Sequence, residues 1–318
     1  MSVRLRALAR SNDPVCEAAA AEELARAGSA LDATLAGYFA AAGAYPGVLL
    51  GSVTLLLGGV GSGDRAFDGR VRQPGRSAKR PRGSLQGEAV PQAARAGVPF
   101  SVPALAVALG YGAQAPLARL VQPGVVLARE RGAGRRAAVL IRVAEVGALA
   151  FAEPALSLAL VRAFGPPCGG LVTPADFTAS AGLDTAAARL ERGDKTLLVA
   201  PWAAQAEQVL RAGVAVCAVD VNGSFAALVI DAQPESALVD ELELSAPLLA
   251  TPTLRGVARL APGTPLPTAA PIWIEHDASG SASCVWCAPS ALEPALVGAP
   301  SFGIRRVTAS RAVEAADC

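Results

Sequence analysis

From Ala33 to Gly63 the chain runs for 31 residues without a charged side chain, so the fold must take that whole stretch out of water. A single apolar helix of that length would cross a membrane. Pro46 and the turn-like Gly-Ala-Tyr-Pro-Gly at 43–47 divide the stretch, which predicts a helix over Asp32–Ala42 and an apolar strand over Val48–Leu57. The helix is small-residue and apolar almost all round, so it is expected inside the protein, with no membrane span. Composition agrees: 52% of residues are hydrophobic and 17% charged, which excludes a disordered chain. Only 4% are aromatic, so the core must pack small side chains closely, with Leu and Val supplying the bulk. Lys+Arg 28 against Asp+Glu 27 leaves a net charge of +1, which argues against nucleic acid or an anionic membrane surface as partner.

The arginine-interrupted start, Met1-Ser-Val-Arg-Leu-Arg, lacks the apolar run of a secretory signal, and six cysteines spread through 318 residues are no disulfide framework. Both features favour a cytoplasmic protein. Ser11-Asn12-Asp13 supplies cap residues for a helix over 14–27, stopped at Gly28. Short helices joined at Pro103, Pro116 and Pro123 are expected over 98–131, and one or two more over 137–164. Apolar or alternating runs at 197–200, 214–220, 225–230, 271–274 and 283–287 then read as strands, with a hairpin turning at Asn222-Gly223. Helices early and strands late imply an α+β protein with a largely antiparallel sheet. We take residues 1–318 as one domain, with a mobile basic loop over 65–87 and a flexible tail over 305–318.

Several segments, taken in order, resemble the γ-glutamyltranspeptidase branch of the N-terminal nucleophile hydrolases. Ala27-Gly-Ser-Ala-Leu-Asp-Ala33 resembles that family's G-G-N-A-x-D-A, and Phe67-Asp-Gly-Arg-Val-Arg-Gln-Pro74 its D-x-R-x-x-x-P. Val98-Pro99 with Leu117–Gly132, Gly169-Gly-Leu-Val-Thr-Pro-Ala-Asp-Phe177, Ala218-Val-Asp-Val-Asn-Gly-Ser224 and Pro265-Leu-Pro-Thr-Ala-Ala-Pro271 are similar to four further motifs. The resemblance spans about residues 11–291 and implies a four-layer αββα sandwich. It also implies that Arg70 sits where the family pairs a substrate α-carboxylate, a task suited to the guanidinium fork. The competing reading is a solvated arginine at the start of a basic loop.

The resemblance fails at the catalytic positions. In the family a threonine freed by self-cleavage opens the strand leading to V-V-D-x-x-G-N and uses its own amine as base. Counting back from Asp220 places Gly213 there, with no nucleophile. The paired serines of P-L-S-S become Pro267 and Thr268, and the oxyanion glycines of G-S-P-G-G read Cys287-Ala-Pro-Ser-Ala291. The implied function is a catalytically degraded binding or structural subunit of a homo- or hetero-oligomer, holding a small carboxylate or γ-glutamyl ligand and needing no cofactor or metal. The rival is an amide hydrolase or γ-glutamyl acyl transferase with a relocated nucleophile at Thr196, which follows the Gly193-Asp-Lys turn.

Other constellations read as structure. Cys284-Val-Trp-Cys287 lies on an alternating segment that sends its two thiols to opposite faces, Cys217 sits on a buried strand, and Gly58-Gly-Val-Gly-Ser-Gly63 lacks the Gly-Lys-Ser/Thr ending of a phosphate loop. A Ser-His-Asp triad would have to use His276, the only histidine.

Overall fold

Asp13 opens the first helix by accepting the N–H groups of Val15 and Cys16 at 3.0 and 3.2 Å, and Ser29 opens the second through a reciprocal capping box with Asp32. The computed structural model describes residues 6–59, 63–79, 83–178, 183–203, 213–231, 235–268, 270–287, 302–307 and 312–317. In chain order, β1 (Leu8–Ser11) leads into α1 (Pro14–Ala25) and α2 (Ala30–Ala44), and β2 (Val53–Gly59) and β3 (Arg65–Gly69) form an antiparallel pair. Helices follow as α3 (Ser101–Leu109), α4 (Leu117–Glu130), α5 (Gly134–Val146) and α6 (Pro154–Phe164). The strands β4 (Asp184–Ala186), β5 (Ala188–Arg192), β6 (Lys195–Val199), β7 (Val214–Val219), β8 (Ser224–Ile230), β9 (Ser236–Val239) and β10 (Leu244–Pro247) come next. β11 (Ile272–His276), β12 (Ala282–Cys287), β13 (Phe302–Val307) and β14 (Ala312–Asp317) complete the set.

Two six-stranded antiparallel sheets carry the architecture, in the orders β1-β7-β8-β2-β3-β4 and β14-β13-β12-β11-β6-β5. They pack face to face. Leu56, Cys217, Phe225 and Ala227 of the first sheet meet Leu198, Ile274, Val285 and Ile304 of the second in one buried cluster. The other face of the first sheet is covered by helices, where Leu55, Leu57, Val216 and Leu228 pack against Leu35, Tyr38 and Phe39 of α2. Layered sheets and helices of this kind are the α+β sandwich that the sequence implies. One extended segment crosses between the sheets, β4 edging the first and β5 the second, and on the opposite side Arg10 reaches from β1 to the Ala316 carbonyl and Asp317 carboxylate of β14.

Every residue of α2 is buried, as the uncharged stretch predicts. A helix covered on all sides must be approached closely by its neighbours, and α4 does this through glycines. A Cβ on Gly43 would stand 2.0 Å from the Gly124 carbonyl oxygen, and one on Gly124 would stand 2.0 Å from that of Phe39. Only hydrogen fits.

The hairpin forms as expected: β7 and β8 lie centrally in the sheet, Gly223 takes φ 84°, and its N–H reaches the Asp220 carbonyl at 3.0 Å. Several expectations need correction. Residues 48–51 form successive turns, so the strand begins at Val53. Pro123 lies inside α4, where burial of Leu120, Val121 and Val125 outweighs its missing donor, and Pro103 stands in the first turn of α3, where no donor is needed. Arg65–Gly69 is a central strand with Phe67 fully buried, so the loop expected over 65–87 begins later. Residues 302–307 and 312–317 pair as β13 and β14, Ile304 buried on the inner face, where a flexible tail over 305–318 was expected. No single helix among the described residues is long and apolar enough to cross a membrane.

Gly43→Ala and Gly124→Ala are each expected to destabilise the fold by about 3 kcal/mol, the upper end of overpacking costs, because the added methyl meets backbone that cannot rotate away. Urea unfolding of the two variants measures this, against Gly134→Ala, where a Cβ would meet nothing within 4 Å.

Candidate functional site

Register brings four chain positions to one end of the first sheet. Val53 stands opposite both Ile230 and Gly69, and Ile230 opposite Val214, so Ser52, Arg70, Asp231 and Gly213 all follow or precede a strand at that end. Backbone bonds knit them: the Asp231 N–H donates to the Ser52 carbonyl at 3.0 Å, and the Val71 N–H to the Ser52 hydroxyl at 3.1 Å.

Asp68 faces the second sheet, because it alternates with Ala66 of the inter-sheet cluster. Its neighbour across the strand pair, Thr54, accepts the Trp202 indole N–H at 3.2 Å. Arg70 lies on this same inter-sheet side, its guanidinium 4.7 Å from the centre of the Trp202 ring. Arg70 therefore lies between the sheets and not against the helices. Its fork closes on Asp68, Nε to Oδ1 at 2.8 Å and Nη2 to Oδ2 at 2.9 Å, a bidentate pair with the Arg70 side chain 16% exposed. The solvated-loop reading of Arg70 does not fit that burial.

A second guanidinium shares the carboxylate. Arg72 Nη2 stands 3.1 Å from Asp68 Oδ2, with the Arg72 side chain 5% exposed and stacked 5.3 Å from the Phe100 ring centre. Burial pulls the Arg72 guanidinium below its usual range, Asp68 opposes that, and Arg70 adds to it. Two cations thus face one anion here. Among the described residues Arg72 Nε finds no hydrogen-bond partner.

The loop beyond Arg70 is pinned by motif residues whose role is now structural. Asp176 accepts the N–H groups of Gly75, Arg76 and Thr173, and the Gln73 carboxamide forms two 2.9 Å bonds with the Thr251 backbone. At Gly213 the Asn12 carboxamide receives the Ala215 N–H and donates to the Gly213 carbonyl, both at 2.8 Å. This side chain extends the β1–β7 ladder by one step. Thr268 donates to Asp231 at 2.7 Å.

The remaining candidates lie elsewhere. Thr196 is on the β5–β6 hairpin of the second sheet, opposite His276 of β11, with its hydroxyl donating to Glu191 at 2.9 Å. His276 is buried, 3.7 Å from Asp64. Cys284 packs with Trp273 and Trp286 on one face of β12 while Cys287 turns inward against Cys217, so the C-x-x-C spacing does not converge; burial pushes both Cys284 and Cys287 thiols up. Residues 288–291 of Cys287-Ala-Pro-Ser-Ala291, and 60–62 of the glycine run, lie outside the described residues.

Asp68 was visible in the D-x-R spacing, since residues two apart on a strand share a face. Trp202 and Asn12 had no local signal: each acts on a partner about 130 or more positions away.

No protein-family model and no curated protein matches the sequence. Solved structures match the fold. Cephalosporin acylase from Bacillus halodurans superposes with a TM-score of 0.67 at 12% identity, over 89% of this chain and 77% of the acylase. The γ-glutamyltranspeptidase of Helicobacter pylori gives 0.51 at 18% identity, over 62% of this chain and 70% of that one. The γ-glutamyltranspeptidase of Pseudomonas nitroreducens, complexed with L-DON, gives 0.50 at 22%, over 60% and 69%. The chain shares the N-terminal nucleophile hydrolase fold of these structures.

Asp68→Ala is expected to cost on the order of 3 kcal/mol of stability, because it leaves two largely buried guanidinium groups unpaired. Chemical denaturation tests it. A loss below about 0.5 kcal/mol would mean that the pair is worth no more than an exposed one.

Proposed function

We propose that the protein is a non-catalytic member of this fold, a subunit of a homo- or hetero-oligomer that binds a small carboxylate at Arg70. The observation that carries the reading is the pairing of two guanidinium groups, Arg72 buried and Arg70 half-buried, with one carboxylate at the end of the sheet where Gly213 precedes β7. A ligand carboxylate offsets the surplus charge and reaches Nη1 of Arg70, which Asp68 leaves free of its bidentate contact. Catalysis has no such support. Glycine at position 213 offers neither hydroxyl nor thiol, and the Asn12 carboxamide grips the backbone on both sides of Val214.

Two measurements test the two halves of the proposal. Purified protein is expected to show one polypeptide of about 31.9 kDa by intact mass and no turnover of γ-glutamyl anilides above buffer. Self-cleavage before a threonine, or turnover abolished by Thr196→Ala, would establish the acyl-transfer reading instead.

For binding, glutamate at ten times its Kd stabilises the binding-competent protein by about 1.4 kcal/mol, RT ln(1 + [L]/Kd), which raises the melting temperature by about 2 °C. The shift is expected in the wild type and absent in Arg70→Ala. Equal shifts in both, or none at millimolar glutamate, would leave Arg70 with only its strut between strand and loop.

A further inference from the structure

The opposite end of the first sheet, roughly 20 Å away along β7, carries a cleft of about 630 Å³. Its walls are set before any ligand arrives. Asp220, buried at the β7–β8 turn, accepts the N–H groups of Ala30, Asn222 and Ser224 at 2.9–3.1 Å. Asp32, fully buried, accepts those of Ser29, Gln114 and Ala115 at 2.8–3.2 Å, which fixes the segment before α4 to the start of α2. Leu31, Leu57 and Phe225 lie buried beneath the cleft, and the accessible apolar wall is supplied by half-buried Tyr111 and exposed Val221.

One charge in this cleft is unspent. Arg306 arrives from β13 of the second sheet and lies against Gly223, where a Cβ would come within 3.0 Å of its Nη1. Gly223 thus serves two ends, the positive φ of the hairpin and room for the guanidinium. Among the described residues no carboxylate pairs with Arg306, since Asp220 and Asp32 are already saturated by backbone donors. At the start of α2 the N–H groups of Ser29, Ala30 and Asp32 are already taken by Asp32, Asp220 and the Ser29 hydroxyl, so the helix terminus is not the attraction.

We propose that this cleft is a second ligand site, for a small amphipathic anion whose acidic group pairs with Arg306 and whose apolar part lies against Tyr111 and Val221. The volume falls within the range of small-molecule sites. A guanidinium beside apolar wall groups suits a ligand that carries both an acid and a hydrocarbon part.

The test uses the full chain and 8-anilinonaphthalene-1-sulfonate, an apolar monoanion that fluoresces on leaving water. Saturable one-to-one binding is expected in the wild type, weakened about tenfold or more in Arg306→Gln and retained in Arg306→Lys and Arg70→Ala. Val221→Trp, at a turn position 66% exposed, fills the cleft without touching the core and should also weaken binding, so the outcome does not hang on how well the arginine variant folds. Sodium octanoate should displace the probe and 1-octanol should not. Equal affinity in wild type, Arg306→Gln and Val221→Trp would overturn the site, and equal displacement by the alcohol would overturn its preference for anions. Arg70→Ala keeps this test separate from the carboxylate reading at the other end.

Discussion

The contact on which the rest of the structure depends is that between α2 and α4, where two backbones meet with no side chain between them. Gly43 and Gly124 allow it, and the result is a helix with no polar face and no solvent side. Because α2 is covered by α4 on one side and by the first sheet on the other, its ends are fixed relative to both. One end is the capping box at Ser29 beside the Arg306 cleft. The other leads through Tyr45, whose hydroxyl donates to Asp13 at 2.6 Å, toward Asn12 and the start of β7. A buried small-residue helix is therefore also the spacer between the two ends of one sheet. Overpacking it would move both.

Charge in the interior follows one pattern. Carboxylates that lie deep, Asp32, Asp176 and Asp220, are each surrounded by backbone N–H donors and hold loops to helices or turns. Such anions need no cation, since two or more amide donors replace the water they lose. Asp68 and Glu23 depart from it: Glu23 takes the Arg119 guanidinium, and Asp68 takes those of both Arg70 and Arg72. Asp68 differs from Glu23 in facing two cations with one charge.

Elements that bury an unbroken apolar run, such as α2 and the β7–β8 hairpin, were legible in the sequence because local pattern and tertiary burial coincide there. Strands at the sheet edges were not. Residues 188–192 and 312–317 expose Arg189, Glu191 and Glu314, so their alternation carries more polar residues than a core strand and reads as loop or tail. Arg65–Gly69 was masked differently, by the basic segment that follows it, although its own residues 66–69 are buried. Within the site, Arg70 and Asp68 could be found from their spacing. Their partner Trp202 sits next to Pro201 between elements, in a segment with no periodicity, and its approach to Thr54 is set by how the second sheet lies on the first.

Glycine stands at both ends of β7 and β8 for opposite reasons. At Gly223 the missing Cβ is used: the backbone takes a positive φ and the space is filled by the Arg306 guanidinium. At Gly213 no side chain is used, and the peptide around it is held in the ladder by the Asn12 carboxamide instead. The sandwich does not need a side chain there for stability, because its core lies along Val216, Cys217 and Ala218, further up the strand. The sheet, the paired arginines and the cleft at the far turn therefore depend on side chains other than that at position 213, and it is Asn12 that closes the ladder there.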